Sequence, residues 1–134
     1  MRSGGRAFAV PVAAVERVCD VPTPFPAPVR DPAVRGVMSV ADRLIPVVNL
    51  AAVVRGGAAP AERGEIGVVV RHGTRLLVIE VDDAPGLEHG AIEPLPIGWR
   101  GGWAAAAVQV PEGLVPLLDV GNLFERLTAA TESR

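Results

Sequence analysis

Residues 44–50 read LIPVVNL and residues 114–120 read LVPLLDV, the second phrase beginning 70 positions after the first in a chain of 134. Each is a branched-apolar run with proline at its third place (Pro46, Pro116) and an amide or acid at its sixth (Asn49, Asp119). The match continues at the same spacing in Val40 and Val110, Val53 and Leu123, Val54 and Phe124. Upstream, AFAVPVAAV (7–15) lies against LLVIEVDDA (76–84), one residue out of phase. Branched apolar residues agree often by chance, whereas proline and polar punctuation agree less often. The chain is therefore read as two related lobes.

Most of each lobe reads as strand. Residues 68–70 and 76–81 are Val/Leu/Ile-rich arms on either side of RHGT, the pattern of a hairpin. Residues 35–40 and 104–110 are further apolar runs, each followed by a short polar turn (ADR, PEG) into the repeated phrase. Proline has no amide to give a sheet ladder, so Pro46 and Pro116 are expected at an edge or a bulge. Asn49 and Asp119 carry side-chain oxygens suited to capping a first helical turn, with LAAVV and VGNLFERL as the short helices. The fold expected is all-β with short helices, two small barrels in a single domain over 1–134. Lobe one would span about 7–55, lobe two about 65–120, and a closing helix about 120–130. VPTPFPAPVRDP (21–32) reads as a stiff extended connector and 55–65 as the loop joining the lobes.

Comparing the lobes exposes a gap. Lobe two has both arms of its opening hairpin, whereas lobe one has only the second (7–12), with SGGR as the remains of a turn. Lobe one is thus expected to lack its first strand and to leave Phe8, Val10 and Val12 as an exposed edge strand. Bare apolar edges template pairing, so this edge is expected to pair with a second copy, giving a dimer, with a partner's strand, or with another segment of the chain.

The chemical inventory is short. A formal charge of −2 gives no steering toward nucleic acid or an anionic membrane, and aromatics at 4% are too sparse for a base-stacking platform. No apolar run approaches the ~18 residues that would cross a bilayer, which argues against direct membrane insertion. Pro11, Glu16 and Arg17 spoil any likeness of the N-terminus to a signal peptide. Cys19 is the single cysteine, which fits a reducing, cytoplasmic setting and reads as a packed thiol. Asp82 and Asp83 are adjacent and would face opposite ways on a strand. His72 and His89 lack partners at metal-ligand spacing, and the Gly-Gly pairs match no phosphate loop. Trp99 and Trp103 read as an interface anchor or as packing between lobes. No catalytic residue, cofactor site or metal site is expected, and the chain is not read as an enzyme.

VRGVMSVADRLIPVVNL (34–50) resembles the signature of CheW-like domains, the coupling modules of bacterial chemosensory arrays. AFAVPVAAVERV, GVVVRHGTRLLVIEVDD, IEPLP and LVPLLDVGNLF resemble further family segments in the same order, so the likeness covers nearly the whole chain. It implies two SH3-like five-stranded barrels and a scaffold without catalysis. It also implies a receptor-binding groove between lobes, lined by Val15, Val18, Ala84 and Leu87 with Gly36 nearby, for the cytoplasmic hairpin tip of a chemoreceptor. A CheA-type histidine kinase or another CheW-like protein would be the other partner. The chain departs from the family's NLRG at Ala41, which stands at the arginine, and at Asp42, which stands at the glycine. With the missing strand, this implies a coupler with weak or no kinase binding, like the accessory CheW-like protein of the Frizzy pathway. The alternative reading is a β-barrel module for an unrelated peptide or small molecule.

Overall fold

The structure, a computed structural model, describes residues 1–26, 32–55, 57, 59, 64–84, 86, 90–96 and 103–132. Ten strands are assigned among them: β1 (Arg2–Ser3), β2 (Arg6–Ala7), β3 (Val15–Asp20), β4 (Val34–Val40), β5 (Arg43–Asn49), β6 (Ile66–His72), β7 (Arg75–Val81), β8 (Ala91–Glu93), β9 (Ala104–Val110) and β10 (Gly113–Leu118). One 3-10 turn covers Val12–Ala14, and the helices are α1 (Leu50–Arg55) and α2 (Val120–Glu132). No helix among the described residues is long and apolar enough to cross a membrane.

The repeat is written into the geometry. In repeat one the β4–β5 ladder slips between Val34 and Gly36, bulging at Arg35, and in repeat two the β9–β10 ladder slips between Leu117 and Leu118, bulging at Ala105. The Asn49 amide donates to the Ala33 carbonyl at 2.9 Å, and the Asp119 amide donates to the Trp103 carbonyl at 2.8 Å. Both expected caps form: Asn49 Oδ1 accepts from the Ala52 amide, and Asp119 Oδ1 accepts from the Asn122 amide, each at 3.0 Å. Pro46 falls on the part of β5 before its parallel pairing to β7, which covers only Val47 to Asn49, so its missing donor is not needed. Pro116 lies two residues before the β10 slip.

The hairpins, however, are exchanged between the repeats. The five-stranded sheet has the order β3-β6-β7-β5-β4, so the β6–β7 hairpin completes the first repeat's barrel. The lobe boundary expected near residue 65 therefore divides sequence repeats and not barrels. The second sheet, β10-β9-β8, is joined by the segment after β2: the Ala9 amide donates to the Pro116 carbonyl, the Leu118 amide donates to the Ala9 carbonyl, and Ala9 lies parallel to Leu117. That pairing copies Val47 with Val78 in the first barrel. We call these barrel one (β3 to β7) and barrel two (β8 to β10 with residues 1–10).

The first arm of the opening hairpin is present as β1. Gly4 and Gly5, at φ of +59° and +80°, make the tight turn that lets Arg2 pair with Ala7 and Ser3 with Arg6. This corrects the expected edge strand. Phe8 exchanges both backbone hydrogen bonds with Met1 and is 2% exposed, packed edge-to-face on Trp103 at 5.6 Å. Val12 is 65% exposed but lies in the 3-10 turn, because Pro11 ends the extended run. Of the three residues, only Val10 stays extended without a backbone partner among the described residues.

Two apolar clusters hold the fold. Val21, Met38, Val40, Ile45, Val47, Val69 and Val78 fill barrel one. The larger cluster, including Phe8, Val48, Leu50, Val68, Val70, Leu77, Ile79, Trp103, Leu118, Leu123 and Phe124, lies on the other face of the five-stranded sheet, under the helices. Burying a Leu, Ile or Phe side chain contributes about 1.5–3 kcal/mol each. Trp103 is thus core, while Trp99 lies outside the described residues.

Candidate functional site

β3 is an edge strand of the five-stranded sheet, and its pairing decides where its side chains face. Val15 lies opposite Val70 and Val18 opposite Val68. Cross-strand partners share a face, so both valines lie on the side of the larger cluster. Val15 packs against that cluster, as does Ala84, three residues beyond β7. Val18 stands at its margin, 56% exposed. Val15 and Ala84 thus both pack on the larger cluster, and Val18, on the same sheet face as Val15, is presented to solvent. Charge lies close by: Glu16 pairs with Arg71, and Arg17 and Asp20 are exposed. Leu87 and His89 lie outside the described residues.

Gly36 does not join this surface. It is buried beneath the segment that closes barrel one, where the Phe25 and Val37 amides each donate to the other's carbonyl, at 2.9 and 2.8 Å. A Cβ on Gly36 would stand 2.2 Å from the Phe25 carbonyl oxygen, and φ is +153°. Its glycine serves that close approach.

Ala41 and Asp42 form the two-residue turn between β4 and β5, both exposed and both left-handed at φ of 49° and 64°. Alanine is strained there, which residues such as asparagine and glycine avoid. Leu44 follows, also exposed.

Other residues weighed from the sequence have structural duties. Asp82 Oδ2 accepts from the Gly4 amide at 3.0 Å, and the Asp83 carbonyl accepts from the Arg2 amide at 2.7 Å. The His72 ring stacks on Phe124 at 5.7 Å. Cys19 is half-buried and packs against the barrel-one cluster; burial raises its thiol pKa, Arg17 opposes the rise and Asp20 adds to it. Among the described residues no group of three His, Cys, Asp or Glu side chains is placed to hold a metal ion.

One polar cluster was missed from the sequence. Glu80, wholly buried on β7, accepts from Arg35 Nη2 at 2.7 Å and from Asn49 Nδ2 at 2.8 Å through Oε1. Arg35 Nε stands 2.6 Å from Oε2, close enough for an ion pair though not aligned as a hydrogen bond. The signal was there: a lone acid within LLVIEV must be paired if the run is a buried strand. With its oxygens held by Arg35 and Asn49, Glu80 ties β7 to the β4 bulge and to the α1 cap.

Comparison with known proteins agrees with this architecture. The family model described as CheW-like domain matches residues 1–128. The crystal structure of the scaffolding protein TtCheW from Thermoanaerobacter tengcongensis superposes with a TM-score of 0.71 at 13% identity, covering 87% of this chain and 84% of that one. No curated protein sequence matches. The structural match shows a shared fold, and the family match over nearly the full length places the chain in the CheW-like domain family.

Proposed function

We propose that this protein is a non-catalytic adaptor of a bacterial chemosensory array that works in the cytoplasm and binds the hairpin tip of a chemoreceptor through Val15, Val18 and Ala84, with Leu87 added by the family resemblance. The observation that carries the reading is Val18, an apolar side chain 56% exposed on the sheet face where Val15 packs. An amphipathic helix anchors through apolar side chains spaced along one face, and such a region suits it. Family membership and the scaffolding role of TtCheW support an adaptor over an enzyme. Ala41 cannot supply the bidentate hydrogen bonds of the arginine usual at its position, so binding to a CheA-type kinase is weak or absent.

The test is to titrate receptor-tip peptide and kinase regulatory domain separately against the wild type and Val18→Asp. A charge placed in the apolar contact is expected to weaken receptor binding by at least about tenfold while the fold persists. Unchanged receptor affinity in a folded variant rules out the site, and a nanomolar complex with the kinase domain alone rules out the reduced-coupler reading.

A further inference from the structure

The β1–β2 hairpin and helix α1 enclose a cavity of about 210 Å³. The two elements are held together by the Ala51 amide, in the first turn of α1, which donates to Ser3 Oγ at 3.1 Å. Phe8, Ala51 and Val54 give the cavity an apolar wall, while Ser3, Arg6 and Arg55 bring polar groups to it. No carboxylate lines it. Asp82, which approaches the hairpin, accepts from the Gly4 amide at 3.0 Å instead.

What the polar groups offer is donation. Ser3 is 1% exposed, and its oxygen accepts the Ala51 bond, which leaves the hydroxyl proton to be given away. That proton has no acceptor among the described residues, and a buried donor without a partner is costly. Arg6 stands opposite Ser3 in the hairpin, so both side chains lie on one face. Its guanidinium is 5.6 Å from the centre of the Phe8 ring and 6.0 Å from that of Trp103. Those rings meet edge to face and steady the cation beside the cavity. Arg35 and Arg71 are paired with Glu80 and Glu16, whereas Arg6 has no acidic partner among the described residues. Arg55, in the last turn of α1, brings a second cation to the same opening.

A hydroxyl proton and two guanidinium groups are satisfied together by an anion that only accepts. A carboxylate matches the planar fork of a guanidinium with two parallel bonds. The wall selects further: a fully hydrated inorganic anion would leave Phe8, Ala51 and Val54 facing water, whereas a hydrocarbon body would cover them. The volume falls below the roughly 300–1,000 Å³ of sites for drug-sized ligands, so that body is short.

We propose that this cavity binds a carboxylate carried on a short hydrocarbon body, supplied by a free small acid or by the C-terminal residue of another polypeptide. The carboxylate lies between Arg6 and the Ser3 hydroxyl, with Arg55 adding charge, and the body rests on Ala51 and Val54. Such a ligand joins the N-terminal hairpin to α1, which follows the last residue of β5 in barrel one. Occupancy therefore also raises the unfolding midpoint.

The probe is sodium butyrate, titrated into the full chain at fixed pH and ionic strength. The Arg6 Nε–H and Ala51 amide signals are followed in proton–nitrogen correlation spectra. Saturable shifts are expected, with binding at least about tenfold tighter than for sulfate and none for butanol. A second arm uses the peptide Gly-Gly-Ala-Val with a free C-terminus and the same peptide amidated. Tighter binding of the free peptide than of butyrate, with the amide inert, makes a polypeptide terminus the source; the reverse order makes it a free acid. Arg6→Gln should weaken binding by at least about tenfold, and Arg6→Lys, which keeps the charge without the fork, should recover only part. Because Arg6 also packs on two rings, Val54→Phe is the second variant: it fills the wall, keeps both arginines and should abolish binding. No saturable shift with either carboxylate, equal shifts with butanol or sulfate, or undiminished binding in either Arg6→Gln or Val54→Phe overturns the proposal. Receptor and kinase are absent from the experiment, so its failure leaves the receptor reading untouched.

Discussion

Arg35 Nη2 donates to Glu80 Oε1 at 2.7 Å, across a contact in which Glu80 is wholly buried. The pair joins the bulge of β4 to the far end of β7, and so joins the two sequence repeats inside one barrel. Removing one partner strands the other charge, which costs about 3–5 kcal/mol, whereas replacing both by apolar residues of similar volume is often neutral or better. Arg35→Ala is expected to lower unfolding free energy by that amount, and Arg35→Met with Glu80→Leu to recover most of it. Urea denaturation of the three chains decides; equal losses in both variants would show that the pair itself carries the stability.

The two helix caps offer a matched comparison. Asp119→Ala removes one acceptor from the start of α2 and should cost about 1 kcal/mol. Asn49→Ala removes the same cap from α1 and also the Nδ2 donor to buried Glu80, adding about 1–3 kcal/mol. Thermal or chemical melts that rank Asp119→Ala as the more damaging would contradict this.

Ala41 and Asp42 hold left-handed backbone in a turn where Asn-Gly is preferred. Ala41→Asn combined with Asp42→Gly should stabilise the chain by about 1–2 kcal/mol. An unchanged denaturation midpoint would mean that the turn relaxes in solution.

Gly36→Ala should destabilise by more than about 2 kcal/mol, because the new methyl meets the Phe25 carbonyl and φ is unfavourable. Any receptor-binding defect should follow the loss of fold. Val18→Asp should instead melt within about 0.5 kcal/mol of wild type, as exposed substitutions usually do. Differential scanning calorimetry beside binding separates the two cases.

Much of this architecture was legible in the chain. The 70-residue repeat located both helix caps, both proline-bearing strands and the turns ahead of them, because each rests on local residue chemistry. The exchange of hairpins was not legible. Residues 66–81 carry the same alternation whichever barrel receives them, and the choice lies in long-range pairing such as Val47 with Val78. The same blindness hid Phe8, which pairs with Met1 and packs on Trp103 instead of lying on an open edge. Glu80 was passed over because it sits inside an apolar run. The candidate site was reached through family resemblance, since Val15 and Val18 are unremarkable in a β-rich sequence until pairing with Val70 and Val68 fixes their face.

Exchanged hairpins also govern how the molecule can come apart. Cutting the chain between Arg55 and Gly64 would yield two fragments, each holding a hairpin that belongs to the other's barrel. Neither fragment could complete a barrel alone, yet mixed together they carry every strand described for both. The protein should therefore melt in a single cooperative transition, and its halves should work as a split pair that regains structure only on reunion.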